Sequence, residues 1–460
     1  MKLTTKMKIF LVAASTFLFA MIAINARATY GAKISVDEPQ YLLTALSIAE
    51  DRDLDISDEL AEERYLPFHE IPLNQQTIDL NEDGQRISPH DPLLPLVLSI
   101  PMGIGGWVAA KLILALIAAL TSAVTLWVAV RRFSISSHIG AAVVGVCFMA
   151  PPLVSYGTQV YPEMPAALCL ITGIGILTSP TISRRGLMGL ALTVSALPWL
   201  SVKYVPVAGV LVIFALVKNF KKDRKNSIAF GVVLLFSGLI YLIVHQKIYG
   251  GWTVYASGDH FVDGEFLVVG NNPNIFGRTR RLSGLLLDKE FGLIPWAPVY
   301  FAFIPACISL LRSKSKDFVV LLSVVGTGWA VATWVALTMH GWWWPGRQVV
   351  VILPAAILIM SLLAEKSRRW FRFIIVGGVA GVIGWVWLAI EASTGNRTLV
   401  VDFYETTYPI YKVLSWITPD FTDLKGGEIL LHLLWLCLLV IFSFPEKVKK
   451  DSKKLEEASP

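Results

Sequence analysis

Apolar runs separated by short charged stretches occur near residues 9–28, 107–130, 137–156, 163–180, 186–201, 203–218, 227–247, 293–311, 318–339, 348–364, 371–391 and 427–444. Each is close to the length a helix needs to cross a bilayer, about 20 residues. The pattern predicts an all-α polytopic membrane protein with about twelve transmembrane helices. Pro92–Gly106 is also apolar, but it is short and carries Pro92, Pro95, Pro101 and three glycines. It is expected to be an interfacial or re-entrant piece.

Two polar patterns organise the runs. Basic clusters at Lys2/Lys6/Lys8, Arg131/Arg132, Arg184/Arg185, Lys218–Lys225, Arg312/Lys314/Lys316, Lys366/Arg368/Arg369/Arg372 and Lys447–Lys454 fall at every second connection, so all seven are expected on the cytoplasmic side. Both termini then face the cytoplasm, with 446–460 as a basic tail. The opposite side carries long connections. Residues 30–91 hold fifteen acidic against four basic residues, too long and too charged for a bare connector. Further outer segments at about 248–290 and 393–426 have neither an apolar core nor paired cysteines, so they are expected to fold down onto the membrane helices.

Composition agrees, with 55% hydrophobic and 16% charged residues, fifteen tryptophans and a mean hydropathy of +0.60. Basic residues gathered in short clusters between the apolar runs argue against nucleic acid as a partner. Cys147, Cys169, Cys307 and Cys437 stand singly in apolar runs, without disulfide or zinc spacing. Lys2, Lys6 and Lys8, the run Ile9–Ile24, then Ala26 and Ala28 also have the form of a signal peptide; the length of the run favours an uncleaved first span. No internal repeat and no nucleotide-binding glycine loop is present.

Candidate chemistry collects at the outer helix ends. Ser35 and Glu38 have capping-box spacing and Pro39 fits a first helical turn, which predicts a helix to about Ile48 with Asp37 and Glu38 at its positive end. Asp37 should stay ionised there, with Tyr41 one turn on. Glu163 opens another run after Tyr161-Pro162, and Lys203 stands on the outer side against the charge trend. In His340-Gly341-Trp342-Trp343-Trp344-Pro345-Gly346-Arg347, three successive indoles must point in different directions, so at least one should face inward, where Trp343 could stack on a sugar. Arg347 offers a fork suited to phosphate. His90 and Asp91 lead the acidic loop back to the membrane.

Together these residues resemble the GT-C membrane glycosyltransferases, specifically the protein O-mannosyltransferase and lipid A aminoarabinose transferase superfamily in its small bacterial members. The likeness rests on the Asp-Glu pair after the first span, the long first outer loop, Tyr-Pro-Glu, and the stretches LLLDKEFGLIPWAPVY and HGWWWPGRQVVVILP, and it runs over residues 1–365. It implies one transmembrane glycosyltransferase domain over 1–445 in a bacterial plasma membrane. A polyprenyl-phosphate sugar is the implied donor, and a glycan, lipid or protein of the cell envelope the acceptor. The implied site has Asp37, Glu38 and Glu163 as catalytic residues and Lys203, Arg347 and His340 at the donor phosphate. Tyr41, His90, Asp91 and Trp343 would touch substrate. No metal or other cofactor is required, although converging carboxylates could hold a divalent ion. No counterpart of the folded C-terminal outer domain of many relatives is expected in the stretch after residue 393. A transporter or flippase of a lipid-linked or anionic solute, or a non-catalytic envelope scaffold, would use the same charges differently.

Overall fold

The computed structural model describes residues 3–444 except 74, 75, 77, 80–83, 255–274, 314, 315 and 337. The basic tail and the middle of the segment 248–290 lie outside the described residues. Helices α1 (Thr5–Met21), α2 (Glu38–Glu50), α3 (Ser57–Ala61), α4 (Leu93–Arg132), α5 (Ser137–Met149), α6 (Glu163–Leu177), α7 (Arg184–Leu200), α8 (Val205–Asn219) and α9 (Arg224–Tyr249) form the first part. The rest is α10 (Ile275–Thr279), α11 (Arg281–Leu287), α12 (Leu293–Trp296), α13 (Phe303–Leu311), α14 (Lys316–Ala330), α15 (Leu353–Lys366), α16 (Arg368–Ser393), α17 (Pro409–Ile417) and α18 (Gly427–Phe442). One short antiparallel pair, β1 (Ile78–Asp79) with β2 (Arg86–Ile87), lies in the acidic loop.

Among the described residues, six helical stretches are long and apolar enough to cross a membrane: Leu93–Arg132, Val202–Asn219, Arg224–Tyr249, Phe318–Val335, Arg347–Lys366 and Arg368–Ser393. The chain is a multi-pass membrane protein, and its other apolar runs form shorter helices. Their burial separates centre from periphery. The apolar stretch of Arg347–Lys366 is 89% buried and that of α9 only 17%, so α15 is the central helix. Val232, Leu235, Phe236 and Ile243 of α9 are exposed, an arrangement that fits lipid as the surrounding solvent.

The segment before the second span is helical and runs into that span without a loop. The helix breaks at Gly105 and Gly106, the latter at φ 63°, ψ −160°, a conformation open essentially to glycine. The preceding arm exposes Leu96, Ile100 and Ile104.

Close helix contacts come from small residues. On α16, a Cβ added at Gly378 would lie 2.5 Å from Val146, and one at Gly384 would lie 2.6 Å from the Tyr411 ring. The described residues of the segment 393–426 pack on the rest of the chain. Leu399 and Val400 donate their N–H groups to the carbonyls of Arg27 (2.9 Å) and Ala28 (3.0 Å), and the Tyr30 hydroxyl donates to Asp402. Phe403 and Tyr411 close an aromatic core with Trp296, Trp344 and Trp385. Asp288 ties the resembling stretch to the last segment by accepting from the N–H groups of Phe291 (2.7 Å) and Phe421 (3.0 Å).

Gly384→Val is expected to lower the stability of the detergent-solubilised protein by about 1–3 kcal/mol through overpacking against Tyr408 and Tyr411. The melting temperature in detergent measures it.

Candidate active site

Four chain segments converge on one buried cation. Gly346, at φ 86°, turns the chain into the 3-10 stretch Arg347–Ile352 that precedes α15. The Arg347 guanidinium is buried there, with Nη2 2.9 Å from Asp37 Oδ2 and Nε 3.1 Å from Glu163 Oε1. The guanidinium carbon also lies over the rings of Tyr161 (3.8 Å) and Trp343 (4.7 Å). Lys203 Nζ donates to the same Glu163 oxygen at 2.9 Å and to Gln348 Oε1 at 3.3 Å. Glu163 is 1% exposed, and its second oxygen has no hydrogen-bond partner. The charges thus run Asp37, Arg347, Glu163, Lys203, alternating in sign.

The cluster forms the wall of a cavity of about 490 Å³ lined by Asp37, Tyr41, His90, Lys203, Trp343, Arg347 and Gln348, with Val205, Pro206, Val335 and Ala336 as an apolar side. His90 stacks on Tyr41 at 4.4 Å, accepts or donates at Ser88 Oγ (2.8 Å), and brings Nε2 to 3.9 Å from Asp37 Oδ2. The three tryptophans diverge: Trp342 is 62% exposed, Trp343 faces the cavity, and Trp344 lies in the aromatic core.

Helix α2 begins at Glu38 and Pro39, and Asp37 stands before them without a side-chain cap. Half of the expected capping box is present, as Glu38 Oε2 accepts the Ser35 N–H at 2.7 Å. Burial would raise the Asp37 carboxyl, but Arg347 and His90 more than offset it and hold it well below the usual carboxylate range. Asp37 is therefore ionised, and by itself a weak proton acceptor.

Three sequence-predicted site residues lie elsewhere. Glu38 points away from its neighbour Asp37, accepting from Val160 N–H at 2.6 Å and lining a separate small cavity of about 20 Å³ with Lys111 and Gln159. Burial pushes its carboxyl up, against the pull of Lys111 and the hydrogen bonds from Val160 and Ser35. Asp91 is a buried joint, accepting from His245 Nε2 (2.9 Å), Tyr241 (3.1 Å) and the Val202 N–H (3.2 Å). It holds the turn that presents Lys203. His340 packs on Phe291 with Nε2 3.3 Å from Asp288, and it does not line the cavity.

Tyr161 and Gln348 also belong to the site; the sequence marked Tyr161 only as the start of Tyr-Pro-Glu and gave Gln348 no role, although it adjoins Arg347. Lys111 and His245 had a signal of their own, an ionisable side chain inside an apolar run. Asp37 and Glu163 share Arg347 and Glu38 faces away, so these three carboxylates do not converge on one point. Among the described residues, Asp51, Asp58 and Glu59 are the group close enough to hold an ion, and none of them lines this cavity.

A carboxyl whose folded-state value is depressed contributes stability above its unfolded value, near 4, and loses it as pH falls toward the folded one. The difference in melting temperature between wild type and Asp37→Asn is therefore expected to be constant from pH 8 to about 5 and to shrink below about 4. Thermal melts across that range read it directly.

No family model matches the chain, and no curated protein does. Solved structures match by shape. The crystal structure of ArnT from Cupriavidus metallidurans bound to undecaprenyl phosphate superposes with a TM-score of 0.54 at 13% identity, covering 94% of this chain and 77% of that one. Its apo form gives 0.52 at 13% identity, over 94% and 76%. The Archaeoglobus fulgidus oligosaccharyltransferase in complex with zinc and sulfate gives 0.43 at 14% identity, over 87% of this chain and 52% of that one. By this likeness the chain shares the overall fold of ArnT.

Proposed function

We propose that this protein is a membrane glycosyltransferase that moves a sugar from a polyprenyl-phosphate donor to a hydroxyl or amine of a cell-envelope acceptor on the extracytoplasmic side. One observation carries the reading: the Asp37 carboxylate and the cations Lys203 and Arg347 face the same cavity, beside an apolar wall. The similar ArnT was crystallised with undecaprenyl phosphate bound, which supports a polyprenyl phosphate as the ligand. The orientation follows from the basic clusters, which lie on connections at the other helix ends.

The donor's phosphate sits between Lys203 and Arg347 with its first isoprene units against Val205, Pro206, Val335 and Ala336. Trp343 and Tyr41 offer ring faces to the sugar. An acceptor lone pair forms a bond to the anomeric carbon as the bond from that carbon to the phosphate oxygen breaks. The leaving electron pair stays on the phosphate, where the two cations stabilise it. A single displacement of this kind inverts the anomeric centre.

The acceptor proton goes to Asp37. Its weakness as a base matters less than it would for a free hydroxyl, because an oxygen already bonding to the anomeric carbon becomes oxonium-like and strongly acidic. The incoming phosphate also draws on the Arg347 charge and so loosens that cation's hold on Asp37. Proton acceptance is thereby favoured when the donor is in place. Glu163 is a positioning residue, holding Lys203 and Arg347 at a spacing set by one carboxylate oxygen.

Transfer of a labelled sugar from a polyprenyl-phosphate donor in membranes tests the reading. Asp37→Asn is expected to abolish transfer while leaving insertion intact, and near-normal transfer by that variant would remove Asp37 from the base role. Lys203→Met is expected to lower turnover at least tenfold, a barrier change of about 1.4 kcal/mol; an unchanged rate would count against a phosphate contact.

A further inference from the structure

We propose that Asp51, Asp58 and Glu59 form a calcium site that fastens the far end of the helix carrying Asp37. The three side chains come from two elements. Asp51 closes α2, and Asp58 and Glu59 lie in the first turn of α3. One carboxylate oxygen from each lies within 4.8 Å of the others, so a single ion placed among them could reach all three at ordinary calcium–oxygen distances of about 2.3–2.6 Å.

The buried member of the group points to an occupant. Glu59 is only 2% exposed, and neither of its carboxylate oxygens has a hydrogen-bond partner. A carboxylate taken out of water beside two others, with no donor on either oxygen, is strongly unfavourable unless a cation or a proton joins it. The nearby arginine is engaged, since Arg64 pairs with Glu50 at 2.8 Å and with Glu62 at 3.7 Å. From Glu50 to Arg64 the chain holds eight acidic residues against Arg52 and Arg64, so the local field favours a cation.

Other carboxylates of this loop are already used. Asp53 Oδ1 accepts from Ser47 Oγ (2.9 Å) and the Asp55 N–H (3.0 Å), and Asp55 Oδ1 accepts from the N–H groups of Ser57 (3.1 Å) and Arg86 (2.9 Å). The alternation Asp51, Asp53, Asp55 looks like the start of an EF-hand loop, but Ile56 stands where that loop needs glycine. The ligand set here is a different one. It contains only carboxylates, with two exposed members that leave room for water, which suits a hard, flexibly coordinated ion over a transition metal. Calcium fits better than magnesium, which demands stricter octahedral geometry. With three protein residues, affinity is expected in the range of modest extracellular sites, on the order of 10⁻⁴–10⁻³ M.

The test is the melting temperature of the full chain in a neutral maltoside detergent, stripped with EDTA and titrated with calcium or magnesium chloride. Calcium up to 10 mM is expected to raise it saturably by about 2–4 °C, reversibly with EDTA, and magnesium at equal concentration to do less. Glu59→Gln removes the buried charge without changing its size. It is expected to melt no lower than the metal-free wild type and to lose the calcium response. Asp58→Asn, at an exposed position, provides a second variant should the first not fold, and should move the calcium midpoint up about tenfold. A wild type that shows no calcium response, whether or not a shared proton stabilises Glu59 instead, would overturn the site. An equal response in Glu59→Gln or Asp58→Asn would do the same.

Discussion

The structure depends on one buried guanidinium. Arg347 is held by Asp37 and Glu163 and lies over the rings of Tyr161 and Trp343. Taking one such charge out of water costs several kcal/mol. Two carboxylates and two aromatic rings together offset that cost. The start of α2, the start of α6, the turn before α8 and the turn before α15 must therefore meet at one point. Segments more than 300 residues apart in sequence are joined by a hydrogen bond of 2.9 Å.

The same cluster shapes the chemistry open to the cavity. Arg347 keeps Asp37 ionised and reduces its basicity, so an anion that competes for the guanidinium changes the acid–base character of the site. Glu163 binds Lys203 and Arg347 through a single oxygen and keeps the two cations close despite their repulsion. The cavity combines these polar residues with the apolar side chains of Val205, Pro206, Val335 and Ala336.

Adjacent carboxylates took different places. Asp37 faces the larger cavity, whereas Glu38 turns inward to the backbone of Val160, tying α2 to the segment before α6, and lines a small cavity with Lys111 of α4. Asp91 and His90 divide the same way, His90 lining the cavity and Asp91 holding α9 and the turn before Lys203. In each pair one residue reaches the cavity and the other holds the element that presents it.

The amino-acid pattern by itself determined the membrane class and marked the stretches that meet at the candidate site. Apolar length and charge spacing are local properties that the bilayer reads directly. Asp37, Lys203 and Arg347 were legible because a charge at an apolar boundary stands out, and Trp343 because three successive indoles cannot share one direction. The tertiary structure alone decided which member of each polar pair faces the cavity, that Tyr161 backs Arg347, and that His340 turns to Asp288. Side-chain direction at a helix start or in a turn depends on a few backbone angles and on partners from distant segments. No pattern along a single stretch encodes those partners.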